Sequence, residues 1–165
     1  MSTLQVIIVS GRSGSGKTSV LNIMEDFGYY PIDNLPLSLV PSAIDKLVHD
    51  SQIYKIAIGI DVQADLSRFA DVYHKLIETY SKPAIKILYV TAQESVLVAR
   101  FDATRRLHPL MAVSGNLPNA IKKEIDILEP IAIRADIKID TSLLNIHQLK
   151  EVIRDHLGVD NAVTV

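Results

Sequence analysis

Eight residues, Gly11-Arg12-Ser13-Gly14-Ser15-Gly16-Lys17-Thr18, fill the pattern G-x-x-x-x-G-K-[ST] between an apolar run, Leu4-Gln5-Val6-Ile7-Ile8-Val9, and the helix-like Ser19-Val20-Leu21-Asn22-Ile23-Met24. The context constrains the fold more than the string does. A buried strand that turns through glycines into a helix leaves the N–H groups of the first helical turn without intrahelical acceptors. The helix dipole adds positive potential at the same place, so the unit forms a cradle for a bound anion. The pattern is a Walker A phosphate loop (P-loop) and predicts binding of a nucleoside triphosphate.

Each loop position has a physical task. Gly11, Gly14 and Gly16 allow backbone conformations and close phosphate approach that a Cβ would block, while Arg12, Ser13 and Ser15 complete the nest of N–H groups. Lys17 supplies positive charge to the β- and γ-phosphates, and the Thr18 hydroxyl is placed to coordinate Mg²⁺. The flanking strand and helix argue against a plain glycine-rich turn with a surface lysine.

The rest of the chain alternates between strand and helix. Runs rich in β-formers occur at Val6-Ile7-Ile8-Val9, Ile56-Ala57-Ile58-Gly59-Ile60, Ile85-Lys86-Ile87-Leu88-Tyr89-Val90 and Ile137-Lys138-Ile139, and a fifth strand is suggested by Tyr29-Tyr30-Pro31-Ile32. Strands that are nearly all apolar belong at the centre of a parallel sheet. Helical periods lie at about 18–27, 37–49, 65–81, 93–106, 118–135 and 146–157; Asn145 and Gln148 form a capping pair for the last, and Pro130 predicts a kink or break in the one before. The expected class is α/β, a three-layer sandwich with a mostly parallel sheet, P-loop NTPase- or kinase-like. Its ligand belongs at the carboxyl ends of the strands.

Three further clusters carry chemistry. Asp61 ends the run 56–60, where a carboxylate at a strand tip can hold magnesium directly or through water; an acid that caps the following helix is the alternative. Asp140, after 137–139, has the same pattern and is read as structural or as part of a base pocket. Arg100, Arg105 and Arg106 lie on a helix running into a loop, where planar donors can clamp a transferring phosphate. Arg105 is favoured for that role over a solvated helix end. Asp33-Asn34-Leu35-Pro36 stands where P-loop kinases place the acceptor, so Asp33 reads either as a general base or as a turn former. The five histidines show no metal spacing and are read as surface residues, with His108 a helix stop beside Pro109.

Composition narrows the classes that remain. At 165 residues, with 48% hydrophobic and 22% charged residues, the sequence suits one globular domain over 1–165. A net charge of −2 gives no bulk argument for nucleic-acid binding. Without a cysteine the chain can make no disulfide, thiolate nucleophile or cysteine-ligated zinc site. Apolar runs are strand-sized and no charged leader precedes one, so a cytoplasmic protein without membrane span or secretory signal is the expectation.

These segments together resemble the N-terminal domain of the RapZ/YvcJ family of P-loop RNase adapter proteins. The matching strings are 9–17, Glu25-Asp26-Phe27-Gly28-Tyr29-Tyr30 with Asp33-Asn34-Leu35-Pro36, Thr104-Arg105-Arg106-Leu107-His108-Pro109-Leu110, Leu128-Glu129-Pro130, and the stretch 135–142. The loop alone is generic, whereas the Asp-Asn-Leu-Pro and Thr-Arg-Arg-Leu-His-Pro-Leu strings, in this order, are far more specific. The resemblance implies binding and hydrolysis of ATP and GTP in a regulatory role. In full-length relatives it implies help to an endoribonuclease processing a small RNA that controls amino-sugar synthesis. Relatives carry a second domain, tied to RNA and sugar-phosphate binding, which would begin where this sequence ends. They also carry Asp-Val-Arg-Asn, assigned to guanine nucleotide contact, where this chain has Asp61-Val62-Gln63-Ala64. Loss of that arginine and asparagine implies weaker selectivity for GTP. Asp61 serves a metal more readily than a base on the far side of the phosphates.

Overall fold

The computed structural model describes residues 3–60, 66–104, 108–111 and 115–157. Among them five strands form one sheet: β1 (Gln5–Gly11), β2 (Tyr30–Ile32), β3 (Lys55–Gly59), β4 (Ile85–Thr91) and β5 (Ile137–Asp140). Their order is β2-β3-β1-β4-β5, with neighbouring pairs parallel throughout. The short run suggested near 29–32 is the edge strand β2, where Pro31 is tolerated because an edge strand need not donate on both sides. Six α-helices are described: α1 (Lys17–Asp26), α2 (Val40–Ser51), α3 (Phe69–Tyr80), α4 (Glu94–Thr104), α5 (Leu117–Ala132) and α6 (Ile146–Leu157).

Alternation along the strands builds the layers. Val6 and Ile8 of β1, with Ile56, Ile58, Ile85 and Ile87, face Ile44 of α2, Phe69 and Leu76 of α3 and Leu128 of α5. Ile7 and Val9, with Ala57, Leu88, Val90 and Ile139, face Val20 and Met24 of α1 and Leu149 and Ile153 of α6. The expected three-layer α/β sandwich is thus formed, and each fully buried Ile or Leu contributes about 1.5–3 kcal/mol to holding it together. None of the described helices is long and apolar enough to cross a membrane.

Helix boundaries differ from the periodicity in detail. The periods at 37–49 and 65–81 each open in a short 3₁₀ turn, Leu37–Leu39 and Leu66–Arg68, before becoming α-helix. The predicted break at Pro130 does not occur: α5 continues through it to Ala132. Pro130 falls in the last turn, and its carbonyl accepts from Arg134 Nη1 at 2.8 Å. Asn145 and Gln148 do form the reciprocal cap, with Gln148 N–H donating to Asn145 Oδ1 at 2.8 Å and Asn145 N–H to Gln148 Oε1 at 2.9 Å.

Strand register brings the candidate residues to one edge. Ile32 pairs with Ile58, Val9 with Gly59, Gly11 with Val90, and Thr91 with Asp140. The loop after β1, Asp33 after β2, Ile60 after β3 and Thr141 after β5 therefore emerge side by side.

Candidate functional site

A cleft of about 510 Å³ opens at that edge, lined by residues 11–19 of the loop and α1, Asp33 and Asn34, Arg100 and Phe101, and Thr141 with Leu144-Asn145-Ile146. At its floor α1 begins without a side-chain cap: its N-cap is Gly16, in the left-handed region at φ 113. The first intrahelical bond runs from Val20 N–H to Gly16 O at 3.0 Å, which leaves the N–H groups of Lys17, Thr18 and Ser19 without an intrahelical acceptor. Lys17 is half-buried, with Nζ 3.4 Å from Ile60 O at the end of β3. Thr18 is exposed on the first turn of the same helix.

The loop is held from outside, residue by residue. A Cβ on Gly11 would lie 2.2 Å from Val90 O, so the strand pairing there admits only glycine. Arg12 is 7% exposed and donates to Ala92 O at 3.3 Å and Ile121 O at 3.0 Å. Ser13 N–H donates to Glu124 Oε1 at 2.8 Å, and Ser13 Oγ donates to Glu124 Oε2. Gly14 O accepts from Arg100 Nη1 at 2.9 Å. Ser15 O accepts from the Thr141 hydroxyl, while Ser15 Oγ lies 2.5 Å from Arg12 O. Arg100 also grips Thr141, at 3.1 Å to Oγ1 and 2.9 Å to its carbonyl. With these groups tied to the body of the protein, the uncapped start of α1 lines the cleft together with the polar residues Lys17, Thr18, Asp33 and Asn34.

Some residues differ from their expected roles. The Arg12 side chain turns into the body of the protein and its N–H donates to Val90 O at 3.0 Å, so its donors are taken up by the fold. The arginine on the loop among the described residues is Arg100; Arg105, favoured from the sequence, lies outside them, as do Arg106 and Asp61-Val62-Gln63-Ala64. Asp33 forms the expected turn and also stands at the cleft. Its Oδ1 accepts from Asn34 N–H at 2.9 Å within a turn that sets Asn34 at φ 56, and it also lines the cleft. Gly59 makes room for it, since a Cβ there would meet Asp33 Oδ1 at 2.6 Å. Asp140 is structural: it accepts from Ser142 N–H at 2.9 Å, and the Ser142 hydroxyl, then that N–H, hold its carboxyl below the usual range.

His108 overturns the reading of all histidines as surface residues. It is 2% exposed, stacked at a tilt on Phe101 with ring centroids 5.2 Å apart, and its Nε2 lies 3.4 Å from Glu124 Oε1. The apolar Phe101 ring and the Glu124 carboxylate supply a place for it that a surface cannot. Glu124 is the site residue that sequence reasoning missed. The signal was there: Ala120, Ile121, Leu128 and Ile131 form the buried stripe of α5, and Glu124 falls on that stripe. Among the described residues no cluster of acids and histidines is arranged to hold a metal by itself.

Known proteins resemble this arrangement at two levels. A nucleotide-binding protein of Psychrobacter arcticus is 59% identical over 98% of this chain and 54% of its own length. A nucleotide-binding protein of Acinetobacter baumannii is 40% identical over 98% of this chain and 57% of its own length. The chain thus spans about half the length of the curated relatives it matches. Among solved structures, shikimate kinase from Bacteroides thetaiotaomicron superposes with a TM-score of 0.64 at 13% identity, covering 94% of this chain and 99% of that one. The YorR protein of Bacillus subtilis, in complex with phosphorylated GDP, gives 0.60 at 16% identity, covering 94% and 96%. At such identities these two share the fold alone, a P-loop kinase fold. Sequence carries the relationship further: residues 4–161 match the RapZ-like N-terminal domain, and the chain belongs to that family.

Proposed function

We propose that this domain binds ATP or GTP with Mg²⁺ and acts as a regulatory nucleotide-binding module with weak NTPase activity. The observation that carries this reading is the uncapped start of α1 opening, with Lys17, into a 510 Å³ cleft. The triphosphate lies along residues 11–18, with Lys17 on its distal phosphates. Thr18 and Asp61 would hold the magnesium, which neutralises phosphate charge when bound. The exposed hydroxyl of Thr18 on the first turn suits that hard cation. The base lies toward Leu144 and Ile146, the apolar residues that line the cleft beside Thr141 and Asn145. Asp33 or Asp61 positions the attacking water, Arg105 stabilises the transferring phosphate, and the changed segment Val62-Gln63-Ala64 gives weak discrimination between ATP and GTP. The names of the curated relatives support nucleotide binding.

In the longer protein that its relatives represent, nucleotide occupancy would govern contact with an endoribonuclease and a small RNA. A second reading, a kinase that passes the γ-phosphate to a small-molecule acceptor, is favoured by one observation: Asp33 faces the same cleft as the phosphate loop. Calorimetry with Mg·ATP and Mg·GTP tests the first reading. The Lys17→Ala chain should fold normally and lose affinity by about a hundredfold, because a charged contact to phosphate disappears. Unchanged affinity refutes the assignment. Turnover that rises by orders of magnitude when metabolite pools are added, with a labelled product, would favour the kinase.

A further inference from the structure

A carboxylate is expensive to bury, and Glu124 is buried completely. Both of its oxygens are directed at one residue of the phosphate loop: Oε1 accepts from Ser13 N–H at 2.8 Å and Oε2 from the Ser13 hydroxyl. His108 approaches the same carboxylate, with Nε2 3.4 Å from Oε1 and both side chains fully buried. The direction of the histidine is fixed by its other nitrogen. Nδ1 accepts from Leu110 N–H at 3.0 Å and so carries no proton, which places the ring N–H at Nε2, toward Glu124. Nε2 is buried without a hydrogen bond, so what links it to Glu124 is proximity of charge at 3.4 Å. Phe101 closes the arrangement, lying against His108 on one side and 3.0 Å from where a Cβ of Gly14 would stand on the other.

From this geometry we propose that Glu124 is a positioning residue for the polyphosphate, acting through Ser13. The proposal rests on the reading of the cleft as a nucleotide site and adds to it how the loop is kept ready. Ser13 precedes Gly14, whose φ of 85 turns the chain toward the uncapped start of α1. Fixing both donors of Ser13 fixes where that turn begins. The loop then need not pay ordering entropy when phosphate arrives. An apolar side chain in place of Glu124 would fill the interior equally well, but it would leave Ser13 N–H without its acceptor and free to rotate. His108 keeps the carboxylate turned toward the loop.

The test separates positioning from mere packing. Mg·ATP affinity is measured by calorimetry for the native chain, Lys17→Ala, Glu124→Met, Glu124→Gln and Ser13→Ala, alongside cooperative thermal melting. Glu124→Met removes the acceptor of Ser13 N–H and the carboxylate beside His108, so it should melt below the native temperature and, where folded, bind at least about tenfold more weakly. Glu124→Gln keeps an acceptor for Ser13 N–H, and its NH₂ can donate to the Ser13 hydroxyl, so it should lose only about threefold through the lost charge. Ser13→Ala should lose about threefold to fivefold, and Glu124→Gln should cost less in that background than alone. Folded Glu124→Met with affinity within twofold of native overturns the proposal. If Glu124→Met does not fold, Ser13→Ala decides, and native affinity in that variant overturns it. A native chain that binds Mg·ATP no better than Lys17→Ala overturns the nucleotide site and this inference with it. Native binding lost in Lys17→Ala but kept in the Glu124 variants overturns this inference alone.

Discussion

The two walls of the cleft are built on opposite plans. On the loop side Arg12, Ser13, Gly14 and Ser15 are each tied to residues at least 75 positions away, on β4, α4, α5 or the end of β5. On the facing side, Asp33 and Asn34 are exposed and joined by a bond between neighbours, Asn34 N–H to Asp33 Oδ1. The first plan fixes a shape before any ligand arrives, and the second leaves side chains free to meet one. A rigid grip beside an adaptable wall suits a site that must hold one common group, a polyphosphate, and respond to something variable opposite it.

Substitutions can break this contrast at graded cost. Gly11→Ala attacks the rigid wall at its root, where the new Cβ would sit 2.2 Å from a backbone oxygen that cannot step aside. Urea unfolding should show a loss of about 3 kcal/mol or more, and a loss below about 1 kcal/mol would mean that the strand pairing yields. Thr141→Val keeps shape but removes the hydroxyl that donates to Ser15 O and accepts from Arg100. It should cost about 1–2 kcal/mol by the same measurement. Asp33→Asn on the open wall should change stability by no more than about 0.5 kcal/mol, because its contact is local and solvated. A larger loss there would show that the turn is as integral as the loop, and the contrast would fail.

What could be read from the sequence, and what could not, divides along the same line. The loop, its strand and its helix are local patterns, so Gly11 to Thr18 and the apolar run before them declare themselves within a few residues. The cap of α6 is equally local and equally legible. The bracing is not, because Ser13 and Glu124 are 111 positions apart and only the sheet order brings α5 to the loop. The partners of the Arg12 side chain, the carbonyls of Ala92 and Ile121, were out of reach of the sequence for the same reason. His108 misled because its neighbours Pro109 and Leu107 describe a turn and say nothing about Glu124. Pro130 does not break its helix because it falls in the last turn, where little helix remains beyond it.

Strand order has a consequence for how this molecule comes apart. β1 lies between β3 and β4 in the middle of the sheet, while β2 is a three-residue edge strand that includes Pro31. Amides on the central strand are released to solvent only when the whole domain opens, but an edge strand can fray at little cost. Backbone amides of β2, which leads to Asp33, should therefore exchange with solvent faster than those of β1, which leads into the loop.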